Sequence, residues 1–210
     1  MNNFDEKKQN SFQLVIASKN VHKIREYKII LSSLLPNIDI LSLIDFPNYI
    51  PPKETGKTFE ENALIKAEHA AKELNKWTLG DDSGLVVPAL KGEPGIFSAR
   101  YAGENASDKD NRLKLLKNME ALNEKDRSAY FECCIALASP EELKKSCCAY
   151  VEGEITYKEI GGNGFGYDPI FKKHDYNKTF AQLEEALKNR VSHRRKAIDK
   201  ILCAIERAIS

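Results

Sequence analysis

The chain has 210 residues, enough for one domain with an ample core. Its 42% hydrophobic and 30% charged content is that of a soluble globule, and 32 basic against 31 acidic residues leave a formal net charge of +1. That balance excludes a global basic field for nucleic acid, so any anion site must be a local patch. No apolar run approaches the roughly 18–20 residues of a bilayer span. Residues 1–11 are polar and carry neither a signal's apolar centre nor an Arg-rich transit pattern. They are expected to form a short arm ahead of a single domain over 12–210, in a cytoplasmic protein without membrane or nucleic-acid partners.

Residues 12–17 read as an apolar strand. The helix that follows has Ile24, Tyr27, Ile30, Leu31 and Leu34 inward, with Lys23, Arg25, Glu26 and Lys28 at polar positions and Pro36 ending it. A strand, a loop and a helix start favour an anion, and Ser18, Asn20 and Lys23 add a hydroxyl, an amide and an ammonium. Ser or Asn before a helix is also an ordinary cap, and the glycine-rich phosphate-loop pattern is absent. Residues 38–43 read as a second strand. The loop over 45–57 carries Pro47, Pro51 and Pro52 and ends in Glu54, Thr55 and Gly56. Thr58 with Glu61 is a capping box opening a helix with the stripe Phe59, Ala63, Ala67, Ala70, Ala71 and Leu74. Asn62 and Lys66, four apart, share one face of it.

Asp81, Asp82, Ser83 and Gly84 stand between the apolar Trp77-Thr78-Leu79 and Leu85-Val86-Val87. They read as a turn leaving a strand end. Carboxylates beside such runs are costly to bury unless paired or metal-bound, so a Mg²⁺-binding acid stands against a solvated turn. A helix over 107–119 has Leu113, Leu115, Leu116 and Met119 as core candidates. Residues 129–138 and 146–156 form an antiparallel hairpin. It contains Cys133-Cys134 and Cys147-Cys148; with Cys203 they make five cysteines. Strand neighbours point to opposite faces, so buried reduced thiols are expected, with a zinc site shared between the pairs as the alternative.

Four glycines then frame Phe165, Tyr167 and Asp168, in a stretch suited to close backbone approach and stacking on a base, or to a mobile turn. A short helix is expected over 180–187. Lys188, Arg190, His193, Arg194, Arg195 and Lys196 open a last helix capped by Ser192, with Ala197, Ile198, Ile201, Leu202, Ile205 and Ile209 inward. Basic charge at a helix start opposes the dipole, and bound phosphate would offset that. Together these features suit a magnesium-dependent nucleotide hydrolase. A nucleic-acid module using Phe165, Tyr167 and the basic helix, and a metal-independent nucleotide sensor, are the alternatives.

Seven stretches in order resemble the inosine triphosphate pyrophosphatase family. They are residues 17–23, 54–56, 58–63 with 66–67, 81–85, 94–101, 164–171 and 192–194, along nearly the whole chain. The resemblance implies an α/β fold with an elongated mixed sheet flanked by helices, two lobes around a nucleotide cleft, and a homodimer. It implies hydrolysis of ITP, dITP or XTP to the monophosphate and pyrophosphate with Mg²⁺, for which Mn²⁺ would substitute. By position, Ser18, Asn20, Lys23 and Lys66 would bind the triphosphate. Glu54 and Asp82 would hold the metal, Asp82 would also be the base, and Asp81 would support it or add a ligand. Ser83 would touch the substrate and Phe165 would stack on the base in a pocket with Gly166, Tyr167 and Asp168. Lys188, His193 and Arg194 would read the base edge. Lys19 departs from the family's usual small residue in the phosphate loop.

Overall fold

The computed structural model describes residues 12–210, so the arm expected at 1–11 lies outside the described residues. Leu14, Val15 and Ile16 of β1 (Gln13–Ile16) are completely buried. An unbroken apolar run is what a strand covered on both faces requires. β1 pairs in parallel with β2 (Asp39–Ser42) on one side and with β3 (Trp77–Val86) on the other. The crossovers are α1 (Val21–Leu34) and α2 (Phe59–Leu74). β4 (Ser128–Ala138), β5 (Leu143–Ile155), β6 (Phe171–Lys173) and β7 (Lys178–Thr179) follow antiparallel, completing a mixed sheet in the order β2-β1-β3-β4-β5-β6-β7. α3 (Asp108–Asn118) precedes the long hairpin; α4 (Glu185–Val191) and α5 (His193–Ile209) close the chain.

The alternation of β4 sorts the helices to opposite faces. Cys133, Ile135 and Leu137 pack with α1 and α5, through Tyr27, Ile30, Ile198 and Ile201. Cys134, Ala136 and Ala138 pack with α2, through Phe59, Ala63, Ala67 and Ala71. Farther along the same hairpin, Phe131 and Val151 enter another core with Leu115, Met119, Tyr167, Phe171 and Phe180. The hairpin thus runs through two lobes, and Asp81–Ser83 lie at the crossing.

Four sequence expectations change. Asp81 to Gly84 are not a turn: β3 runs straight through them, paired with β4 from Thr78 to Val86. The strand continues because both acids find cationic partners within the fold. Cys134 and Cys148 face each other across β4 and β5 and are joined as a disulfide, while Cys133, Cys147 and Cys203 are free. Leu113 is exposed, since α3 buries only the side that carries Leu115. Residues 180–182 form a single 3₁₀ turn, and the helix expected there runs from Glu185 to Val191 instead.

Candidate active site

Asp82 sits between two glycines on one face of β3, and both allow a close approach. A Cβ on Gly80 would lie 2.2 Å from the Ala63 carbonyl of α2, and one on Gly84 would lie 2.3 Å from Ser98 Oγ. With α2 that near, Asn62 Nδ2 donates to Asp82 Oδ2 at 3.2 Å and Lys66 Nζ to Asp82 Oδ1 at 2.8 Å. Lys66 also reaches Glu54 Oε1 at 3.3 Å, and Arg100 stands 4.0 Å from Glu54 Oε2. Asn62 Oδ1 accepts the Gly56 N–H, tying the Glu54 loop to the helix. Burial pushes the Asp82 carboxyl above its ordinary value, only partly offset by Lys66 and Lys23. Burial also works against the Lys66 ammonium, but Asp82, Glu54 and Asp81 outweigh it and hold its pKa up.

Asp81 points to the opposite face, as strand alternation demands. Its Oδ2 lies 3.0 Å from Lys23 Nζ and 3.8 Å from Arg194 Nε, and its Oδ1 accepts from Cys133 Sγ. The Lys23 contact is close in distance without an aligned hydrogen bond. Burial alone would raise this carboxyl; Lys23, Arg194 and Lys66 reverse the sign and hold it far below the usual range. The two adjacent acids therefore have opposite environments, and Asp81 is a counter-ion rather than a neighbour of Asp82 in one ligand set.

At the end of β1, the expected anion-binding residues cap their own turn. Ser18 Oγ accepts the Asn20 N–H, and Asn20 Oδ1 accepts from the His22 and Lys23 N–H groups. Ser18, Asn20 and Lys23 all line the cleft, so the cap stands in its wall.

The far wall is built on Glu26, buried in α1. Its carboxylate takes Arg194 Nη1 at 2.6 Å and Lys188 Nζ at 2.7 Å. Arg194 Nη2 donates to Ser83 Oγ at 3.0 Å, leaving its buried Nε–H without an aligned acceptor. Lys188 also contacts Asp168, whose Oδ2 accepts the Phe165 N–H. Gly164, at φ +77°, has no room for a side chain, since a Cβ would lie 2.1 Å from that same Oδ2. Gly166 is clamped by its N–H to Asp108 and by its carbonyl, which accepts from Arg112. Tyr167 donates to the Ser98 carbonyl. Phe165 stacks on the exposed His22 ring at 4.9 Å and 12°, with Lys188 and Arg194 also near its ring. His193 stacks on Phe131 at 4.8 Å; burial first, then Arg194 and Lys188, drive its pKa well below the ordinary value, so it is neutral.

These groups surround one cleft of about 360 Å³, within the range of small-ligand pockets. Every residue expected at the site lines it except Lys188, which lies behind the wall and acts through Asp168 and Glu26. Glu26, expected only as a polar position of α1, and Asn62, His22 and Asp108, expected to have no role in the site, all contact residues of the cleft. The four-residue step from Asn62 to Lys66 was the one local signal; the Glu26 pairing spans 168 residues and leaves none.

The donor set suits a hard divalent cation. Two carboxylates, Glu54 and Asp82, converge on one ammonium, so their oxygens already bracket a point of positive charge. The α/β sheet thus opens on a cleft with acids and lysines at one end and an aromatic, cationic pocket at the other. The chain belongs to the Ham1 family, whose model matches residues 14–204. A protein of Protochlamydia amoebophila (strain UWE25), named dITP/XTP pyrophosphatase, is 52% identical over 195 residues, covering 92% of this chain and 98% of that one. The Ham1 protein structure of Staphylococcus aureus superposes with a TM-score of 0.80 at 47% identity, covering 92% of this chain and 98% of that one. The HAM1 protein of Coxiella burnetii gives a TM-score of 0.83 at 41% identity, over 93% and 99% of the two chains.

Proposed function

We propose that this chain hydrolyses non-standard purine nucleoside triphosphates (ITP, dITP, XTP) to the monophosphate and pyrophosphate. The observation that carries the reading is the placement of the Glu54–Lys66–Asp82 group and the Phe165–Arg194 group on one cleft. The name of its 52% identical relative supports it.

Water attacks the α-phosphorus, giving its proton to Asp82, and the bond to the bridging oxygen breaks so that pyrophosphate leaves with the electron pair. Lys66 and Lys23 would face the triphosphate and stabilise the departing charge. Glu54 and Asp82 would hold Mg²⁺, or Mn²⁺ in its place, which neutralises phosphate charge when bound.

The base would take the position that His22 fills against Phe165, a face that already accepts a flat heterocycle. Arg194, whose guanidinium lies 5.4 Å from the Phe165 ring centroid, would donate to a 6-oxo group there, where adenine offers only an amino donor. A site built around such a bond discriminates by up to about 10⁴. We further propose a homodimer working in the cytoplasm. Exposed Phe97 and Tyr150 offer apolar surface for a second copy, and among the described residues no helix is long and apolar enough to cross a membrane. Nucleic acid is a poorer fit, since Arg194 and Lys188 of the basic cluster are held internally.

Steady-state assays on ITP, XTP, dITP, GTP, ATP and dUTP, with Mg²⁺ and with excess chelator, test the reading. The expected result is turnover of ITP, XTP and dITP but not of ATP, abolished by the chelator. Equal turnover of ATP, or full activity with metal removed, would overturn it.

A further inference from the structure

On the α2 face of the sheet, outside the cleft, three potential ligand atoms converge. Glu132 and Cys134 are two apart on β4 and so share that face, and Cys148 is the direct partner of Cys134 on β5. One carboxylate oxygen of Glu132 and the two sulfurs all lie within 4.8 Å of one another. They line a second, open cavity with Thr58, Glu60 and Tyr130. The charged neighbour acting on Glu132 is another acid, Glu60, whose carboxylate accepts from Ser146. Two acids and two sulfurs therefore face one cavity.

We propose that Cys134, Cys148 and Glu132 form a redox-gated site for a thiophilic divalent ion, Zn²⁺ being the chemical match. Two thiolates and a carboxylate are a zinc donor set, and the cavity leaves a fourth position to water or Glu60. The disulfide is the closed form of the site. A dithiol reductant transfers two electrons to the sulfur–sulfur bond, becoming a disulfide itself and leaving two thiols; metal capture then releases their two protons to solvent. Adjacent cysteines on one strand diverge, as expected from the sequence, but partners across two strands do not. The ion would tie β4 to β5 beside Asp82, which pairs with Cys134 in the sheet.

The test titrates phosphine-reduced full-length protein with Zn²⁺ against a chromophoric chelator, and with Co²⁺ to read the thiolate-to-metal absorption band. The expected result is one ion per chain with the thiolate band, lost after diamide oxidation and in Cys148→Ser, and weakened about tenfold or more in Glu132→Gln. A Cys147→Ser/Cys203→Ser double variant should bind as the wild type does, and circular dichroism of each variant checks the fold. No ion retained against the chelator by reduced, folded protein would overturn the proposal. So would binding that survives in Cys148→Ser, or that disappears in the double variant.

Discussion

Asp81 and Asp82 are adjacent in the chain, and their substitution should give opposite phenotypes. Asp81 is the counter-ion of Lys23 and Arg194, so Asp81→Asn strands buried positive charge and should cost about 3–5 kcal/mol of stability. Burial raises the Asp82 carboxyl's pKa despite Lys66 and Lys23, and Lys66 keeps Glu54 as a partner when Asp82 is neutralised. Asp82→Asn should therefore shift the urea midpoint little while removing activity, which chemical denaturation and an activity assay read side by side. His193 supplies a pH signature. Its folded pKa lies well below the ordinary imidazole value of about 6.5, so below about pH 6.5 the unfolded chain binds the proton that the folded chain refuses. Its contribution is thus fully present above that pH and is lost as pH falls, approaching about 1.4 kcal/mol per unit. His193→Phe keeps a flat ring against Phe131 and should flatten the slope of stability between pH 6.5 and 5 relative to the parent.

The elements that carry the site are set by close approach and by long-range pairing. Gly80 lets α2 settle onto β3 so that Asn62 and Lys66 reach Asp82. Gly80→Val must push the helix backbone away, and should lower both stability, by about 1–3 kcal/mol, and turnover. Alternation, caps and turn residues made much of this visible beforehand: the Thr58 cap, the alanine stripe of α2, the hairpin and the α5 stripe all stand where the spacing put them. What local pattern could not show is why Asp81 to Gly84 remain in the strand. That depends on Lys23 from α1, Lys66 from α2 and Arg194 from α5, of which only α2 adjoins β3 in sequence. Glu26 was hidden for the same reason, because a glutamate between Arg25 and Tyr27 looks solvated until Lys188 and Arg194 return to it.

For the whole molecule, a near-zero net charge coexists with a cleft of dense, mutually paired charge. Composition excluded a polyanion as bulk partner and was silent on a small one; the motif order supplied the nucleotide, and the fold brought those motifs onto one cleft. The long hairpin joins two cores, with the acids at the crossing and the Phe165 loop in the farther lobe. A nucleotide spanning the cleft would bind both lobes, its phosphates at the α1 start and its base at Phe165. The proposed reaction is cleavage between the α- and β-phosphates with Asp82 as the base. The most direct measurement follows dITP with Mg²⁺, quantifying pyrophosphate and inorganic phosphate separately in the wild type and in Asp82→Asn. One pyrophosphate for each dIMP, no inorganic phosphate, and a loss of about 10²-fold or more in the variant are expected. Release of inorganic phosphate by the wild type, or undiminished turnover by folded Asp82→Asn, would contradict it.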